Sequence, residues 1–113
     1  MKNALEQRWR TLASFLDHTA EAIVITDART RIVYVNRSFT KVTGYTLREV
    51  SGRTPRLLHS GRQTAKFYAH MWKCINASGR WQGEIWNRRK NSEIYPEWLS
   101  ITTVKNSAGK VEN

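Results

Sequence analysis

The chain has 113 residues, with 19 Lys and Arg against 9 Asp and Glu, a formal net charge of +10 and one cysteine. A single domain of ordinary globular composition fits that length, since compact domains run to roughly 100–150 residues; 40% hydrophobic and 25% charged residues exclude a disordered tail. The lone Cys74 excludes an internal disulfide framework and a Cys-rich zinc site, leaves a reducing compartment, the cytoplasm, as the expected location, and no apolar run reaches the about 20 residues a membrane span needs.

Leu5, Trp9, Leu12, Phe15 and Leu16 recur at spacings of three and four and predict an amphipathic helix over residues 3–17. Residues 1–18 thus read as a helical linker unit ahead of a domain over 19–113. Ala22–Asp27 is short and rich in branched residues, a buried strand, and Arg31–Asn36 repeats the pattern after only Ala28, Arg29 and Thr30, which makes a hairpin. Asn36 is placed to N-cap a short helix through Phe39 and Val42 that Gly44 closes. Thr46 and Glu49 have capping-box spacing, and residues 52–61 read as loop. A further helix is predicted from Thr64 to about Ala77, with Phe67, Met71, Trp72 and Ile75 on one side and Gly79 as its stop. Trp81–Arg88 and Glu93–Val104 then flank the turn Arg89–Ser92, a second hairpin. Helices set between strand pairs indicate an α+β domain with an antiparallel sheet.

Catalysis needs a constellation of acids, bases or nucleophiles, and the chain has none. His18, His59 and His70 form no metal-binding pair, and neither a phosphate loop nor a nucleophile elbow is present. Cys74, beside Trp72 and Ile75 on the predicted helix, reads as a buried, inert thiol. Strand parity says more. Trp81, Gly83, Ile85 and Asn87 share one face of their strand, and Tyr95, Glu97, Leu99 and Ile101 share one face of the next. If short helices cover Ile85 and Leu99, then Asn87 and Glu97 point into the same interior and need partners there: backbone, water or the polar edge of a ligand. Trp86 and Trp98 lie on the opposite face, where the N-terminal helix is the expected cover.

These elements and several strings resemble the PAS family of sensory domains. The carrying residues are Ala22-Ile23-Val24-Ile25-Thr26-Asp27, then Ile32 to Phe39, Thr43-Gly44-Tyr45 with Glu49-Val50 and Gly52, and above all Gly79-Arg80-Trp81-Gln82-Gly83-Glu84-Ile85-Trp86-Asn87-Arg88-Arg89-Lys90, followed by Tyr95-Pro96-Glu97-Trp98-Leu99 and Val104 to Val111. The likeness runs from about residue 12 to the end. It implies a five-stranded antiparallel sheet with helices over one face and a ligand cleft between. Four strands are legible, so the family's last strand is expected just after Val111 and missing from this chain. Its absence would expose a hydrogen-bonding ladder, met by a borrowed strand or by a dimer.

The loop Gly52–Gly61 is similar to the flavin loop of the LOV photoreceptor branch, with Pro55 at the position of the reactive cysteine, which excludes a photochemical adduct. The nearer likeness is to the NifL-like branch that holds FAD without a covalent bond, and to PAS domains of cyclic-di-GMP enzymes. It implies FAD against Asn87 at the pyrimidine edge and Trp72 at the ring, with Glu97, Ile85 and Leu99 completing the site. Two positions depart from the pattern: Pro55 replaces a glutamate, and Glu97 stands where LOV domains have a second asparagine. Haem, through His59 or His70, is the disfavoured rival. The resemblance further implies a homodimer through the N-terminal helix and the Trp86/Trp98 face, no enzymatic activity of its own, and an attached effector such as a cyclic-di-GMP enzyme or histidine kinase. A ligand-free interaction module is the alternative. Nucleic acid is not expected as a partner, because the basic residues are scattered over turns and loops and Arg88-Arg89-Lys90 sits at a hairpin tip.

Overall fold

The computed structural model describes residues 2–113. In chain order it has α1 (Lys2–His18), β1 (Val24–Thr26), β2 (Ile32–Val35), α2 (Arg37–Thr43), α3 (Leu47–Val50), a 3-10 turn (Pro55–Leu58), α4 (Ala65–Ser78), β3 (Arg80–Arg88) and β4 (Ile94–Thr102). The 3-10 turn lies inside the segment expected to be loop. Pro55 opens it with a fixed φ, and it buries Leu58.

The local signals act as their chemistry requires. Thr46 and Glu49 form both halves of a capping box, Thr64 caps α4 by accepting from the Phe67 N–H, and Gly44 and Gly79 end their helices in the left-handed conformation. Asn36 does more than cap. It is 1% exposed, and its Oδ1 accepts from Phe39 N–H at 3.0 Å and Ile23 N–H at 2.8 Å. Its Nδ2 donates to Leu16 O and Glu21 O, both at 2.8 Å. One side chain therefore joins α1, the following linker, the start of β1 and α2. Asn36 N–H takes the Ile23 carbonyl as a ladder bond would, but the Ile23 N–H goes to the Asn36 side chain, so regular pairing in β1 begins only at Val24.

The four strands make two antiparallel hairpins, β1–β2 and β3–β4, with no ladder between them among the described residues. The core lies over the first hairpin, where Ile32, Val35, Phe39, Val50 and Leu58 pack together, and continues to Met71, Ile75, Ile85 and Tyr95 between α4 and the second. β4 stops at Thr102, short of the expected Val104, because the backbone of Val104 bonds to Glu112 and Asn113 in a small closing turn. That turn brings Asn113 Nδ2 to the carbonyl of Thr26 at 3.1 Å, the hydrogen bond by which the end of the chain reaches β1.

The expected cover of the Trp86/Trp98 face is corrected. α1 is held by its last turns alone: Asp17 accepts from Tyr34 OH and Arg37 N–H, and Leu16 O from Asn36. This sets the helix beside α2, away from Trp98. Phe15 is 72% exposed and Trp98 68%, and Leu5, Trp9 and Leu12 are exposed with them. Cys74 is also corrected, being half-buried, with its Sγ 3.6 Å from Nε2 of the exposed His70 one turn earlier.

Candidate functional site

The β3–β4 register places Asn87 opposite Tyr95, Ile85 opposite Glu97, Gly83 opposite Leu99 and Trp81 opposite Ile101. Residues directly opposite share a face, so these eight make one surface, and burial alternates along both strands accordingly. α4 covers this face through Met71 and Ile75 and through Phe67, whose ring meets Trp81 edge-on at 5.8 Å. The Trp81 indole in turn lies over Gly83, where an added Cβ would come within 2.8 Å of the ring. Only glycine gives the tryptophan that room.

The polar centre is Asn87 and Glu97. Asn87 is 4% exposed, and its Nδ2 donates to Glu97 Oε1 at 2.6 Å. Tyr95 OH reaches the other carboxylate oxygen at 3.4 Å. Glu97 has no cation: the ion pairs among the described residues are Arg89–Glu93 and Lys90–Glu49. The Arg89 guanidinium instead lies 3.9 Å over the Tyr95 ring and donates to Val42 O. Burial raises the Glu97 carboxyl above the usual carboxylate range, against the opposing pull of the Asn87 and Tyr95 hydrogen bonds and of Arg89. The Tyr95 hydroxyl is pushed up to about 12, by burial first and then by the Glu97 charge, with Arg89 opposing. Asn87 keeps its second amide hydrogen and Oδ1, a donor and an acceptor side by side.

The free edge of β3 is closed by a loop. Pro96, which has no N–H, stands opposite Trp86, and both backbone groups of Trp86 turn the other way, to Gln63. Trp86 N–H donates to Gln63 Oε1 and Gln63 Nε2 donates to Trp86 O, each at 2.8 Å. Ser60 Oγ adds a bond to the same carbonyl at 2.6 Å. Arg62 lies 3.9 Å over the Trp86 ring. One residue on, His59 forms a backbone bridge to Asn87 and stacks on Tyr68 at 4.2 Å. Burial, then the nearby Arg56 charge, lowers the His59 imidazole below its ordinary value.

Of the sequence-predicted residues, Asn87, Glu97, Ile85 and Leu99 come together on one face. Trp72 does not join them. It is 42% exposed on α4, because the step of about 100° per residue carries it off the line of the buried Met71 and Ile75. The sequence reading missed Gln63, Ser60 and Tyr95 as parts of the site. Tyr95 carried the parity signal, whereas nothing in the local string marks Gln63. An open hollow of about 440 Å³ between Lys41–Gly44 and Arg89–Asn91 lies apart from this centre.

The comparisons with known proteins agree with this architecture. A family model described as PAS domain matches residues 20–113. The chain is 33% identical over 100 residues to the nitrogen fixation regulatory protein of Klebsiella oxytoca, covering 88% of this chain and 20% of that protein. It is 32% identical over 79 residues to the aerotaxis receptor of Escherichia coli (strain K12), covering 70% of this chain and 15% of that protein. The chain thus spans about a fifth or less of the length of these relatives. Its fold matches the crystal structure of the PAS domain of a protein from Colwellia psychrerythraea with a TM-score of 0.82 at 23% identity, over 96% of this chain and 89% of that one. An α+β chain with two antiparallel hairpins, short capped helices between them and this match over residues 20–113 belongs to the PAS family, with the nitrogen fixation regulatory proteins among its relatives.

Proposed function

We propose that this PAS domain is the sensory module of a larger bacterial signal-transduction protein, holding an oxidised flavin such as FAD and passing its state to an attached effector, a cyclic-di-GMP enzyme or a histidine kinase. The observation that carries the reading is the Asn87–Glu97 pair, two polar side chains bonded to each other on the inward, helix-covered face of the sheet. Their donor set fits the group: an amide with a free N–H and a free oxygen complements the carbonyl and N–H positions of a pyrimidine edge. Ile85 and Leu99 supply apolar floor beside it. When bound, the isoalloxazine supplies a two-electron redox centre. The chain's own part is to orient the ring edge through Asn87, to exclude water with Met71, Ile75 and Ile85, and to report a change at Asn87 through the adjacent Trp86 to the Gln63 loop.

An absorption spectrum of the protein incubated with FAD tests this. Flavin bands near about 450 nm that remain after desalting, and that Asn87→Ala abolishes, support it. Their absence overturns it, and a haem Soret band near about 400 nm would replace it with the rival cofactor.

A second reading, an interaction module whose cleft holds no ligand, is favoured by the exposed stripe Leu5, Trp9, Leu12 and Phe15. Such a stripe, with the exposed Trp98 side of the sheet, suits a homodimer of two copies. Sedimentation as a clean monomer at high concentration would exclude that dimer.

A further inference from the structure

Neither the net charge of +10 nor the outward face of the second hairpin has a part in the cleft. The β3–β4 register assembles on that face what the sequence scatters. Trp86 stands opposite Pro96, Glu84 opposite Trp98, Arg88 opposite Ile94 and Arg80 opposite Thr102. Two tryptophans thus share the middle of the face, with an arginine towards either end. Trp86 and Trp98 are diagonal neighbours across the ladder, about 7–8 Å apart. Trp98 is 68% exposed, and the loop lays a third arginine, Arg62, 3.9 Å over the Trp86 ring. Alternation also divides the basic run at the hairpin tip. Arg89 goes to the Tyr95 ring and Glu93, and Lys90 goes to Glu49, whereas Arg88 stays exposed on the outward side.

Arg62, Arg80 and Arg88 make no ion pair among the described residues, and Glu84 is the one acid among the outward positions of the two strands. Unpaired guanidinium groups beside exposed indoles can hold a phosphate backbone while its bases stack, whatever their sequence. We propose that the outward face of β3–β4 binds single-stranded RNA, with the three arginines on phosphates and bases stacked on Trp98 and on the Arg62–Trp86 pair. RNA suits the face better than DNA for two reasons. Its unpaired segments are a standing feature of the molecule, and the polar positions Gln82, Ser100 and Thr102 can meet a 2′-hydroxyl, which is both donor and acceptor. A second copy of the chain seated here would set the same arginines against one another, so the homodimer of the second reading is left to the α1 stripe. The inference does not depend on what the cleft holds.

Fluorescence anisotropy with a labelled oligouridylate of about 12 nucleotides tests this, with oligodeoxyuridylate, an RNA duplex and heparin as comparison ligands. Oligouridylate should bind more tightly than the deoxy strand or the duplex. Its log–log salt slope should lie near about −2, as expected for three phosphate contacts on a single strand. Trp98→Ala should weaken it roughly 5–150-fold, the range for one stacked base, and leave the binding of heparin, which has no bases, unchanged. Arg88→Gln should flatten the slope by about 0.7. Arg48→Gln, which removes the same charge from α3, should leave it in place, and Glu84→Gln should bind more tightly than wild type. All four positions are exposed, so the substitutions spare the core. Absence of oligouridylate binding at low salt, wild-type affinity in Trp98→Ala, or equal losses from Arg88→Gln and Arg48→Gln overturns the inference. So does tighter binding of the deoxy strand or the duplex, and so does a wild-type dimer that Trp98→Ala dissociates, which would give the face to a second copy. Each of these results leaves the flavin reading intact.

Discussion

Asn36 is buried among backbone partners and Glu97 half-buried between two side chains, and they differ in what pH and mutation should do to them. The folded-state carboxyl of Glu97 is raised above its reference value of 4.5, so the fold binds that proton more tightly than the unfolded chain does. The resulting stability is fully present below about pH 4.5 and lost as pH rises through the folded value. Glu97→Gln, without ligand, should therefore melt at a higher temperature than wild type at pH 7, and the gap should close below about pH 4.5. Asn36→Ala removes four hydrogen bonds from a side chain that is 1% exposed and leaves the Leu16 and Glu21 carbonyls without their donor. At about 1 kcal/mol for each bond, urea unfolding should show a loss on the order of 3–4 kcal/mol. The N-cap half of this role was legible, because Asn followed by a helical stripe is a local signal. The other half was not, since its partners lie 13 to 20 positions away along the chain. Asn87 and Glu97 show the same division: parity placed both on one face, and their bond to each other required the register of Ile85 on Glu97.

At the scale of elements, capped helices and hairpins were readable because caps and turns are short-range chemistry. Thr46–Glu49, Thr64 and Gly79 act as their spacing predicts. The 3-10 turn and the Gln63 loop were not readable, because their order comes from β3, about 23 residues further on. Gln63 acts as a substitute strand residue, bonding both backbone groups of Trp86 and closing an edge that would otherwise be open to another chain. Gln63→Leu is expected to expose that edge. Hydrogen exchange at the Trp86 amide should then speed up by roughly 5–30-fold, the equivalent of about 1–2 kcal/mol of local stability. Unchanged exchange would mean that Ser60 and the Arg62–Trp86 contact hold the edge without the amide.

For the whole molecule, fold class was legible because it depends on the order of elements, and the family because several local strings, above all Gly79 to Lys90, resemble it. The position of α1 was not, since an amphipathic stripe states that something covers it without stating what. With Leu5, Trp9, Leu12 and Phe15 outward, the double variant Trp9→Glu and Phe15→Glu should sediment as a monomer under any conditions where the homodimer proposed above forms in wild type. Its melting temperature at low protein concentration should be nearly unchanged, because in one chain these side chains bury little surface. A dimer that survives both substitutions would lie on another face, with exposed Trp98 the first place to look.

The hydrogen bond from Asn113 to Thr26 also bears on the order in which this domain assembles. Each hairpin closes across a short turn, so each can form early and locally. The contact that ties the final turn to the first strand spans 87 residues, and its loop-closure entropy is met only after the rest has condensed. The Asn113–Thr26 contact is therefore expected to set late on refolding and to part early on unfolding.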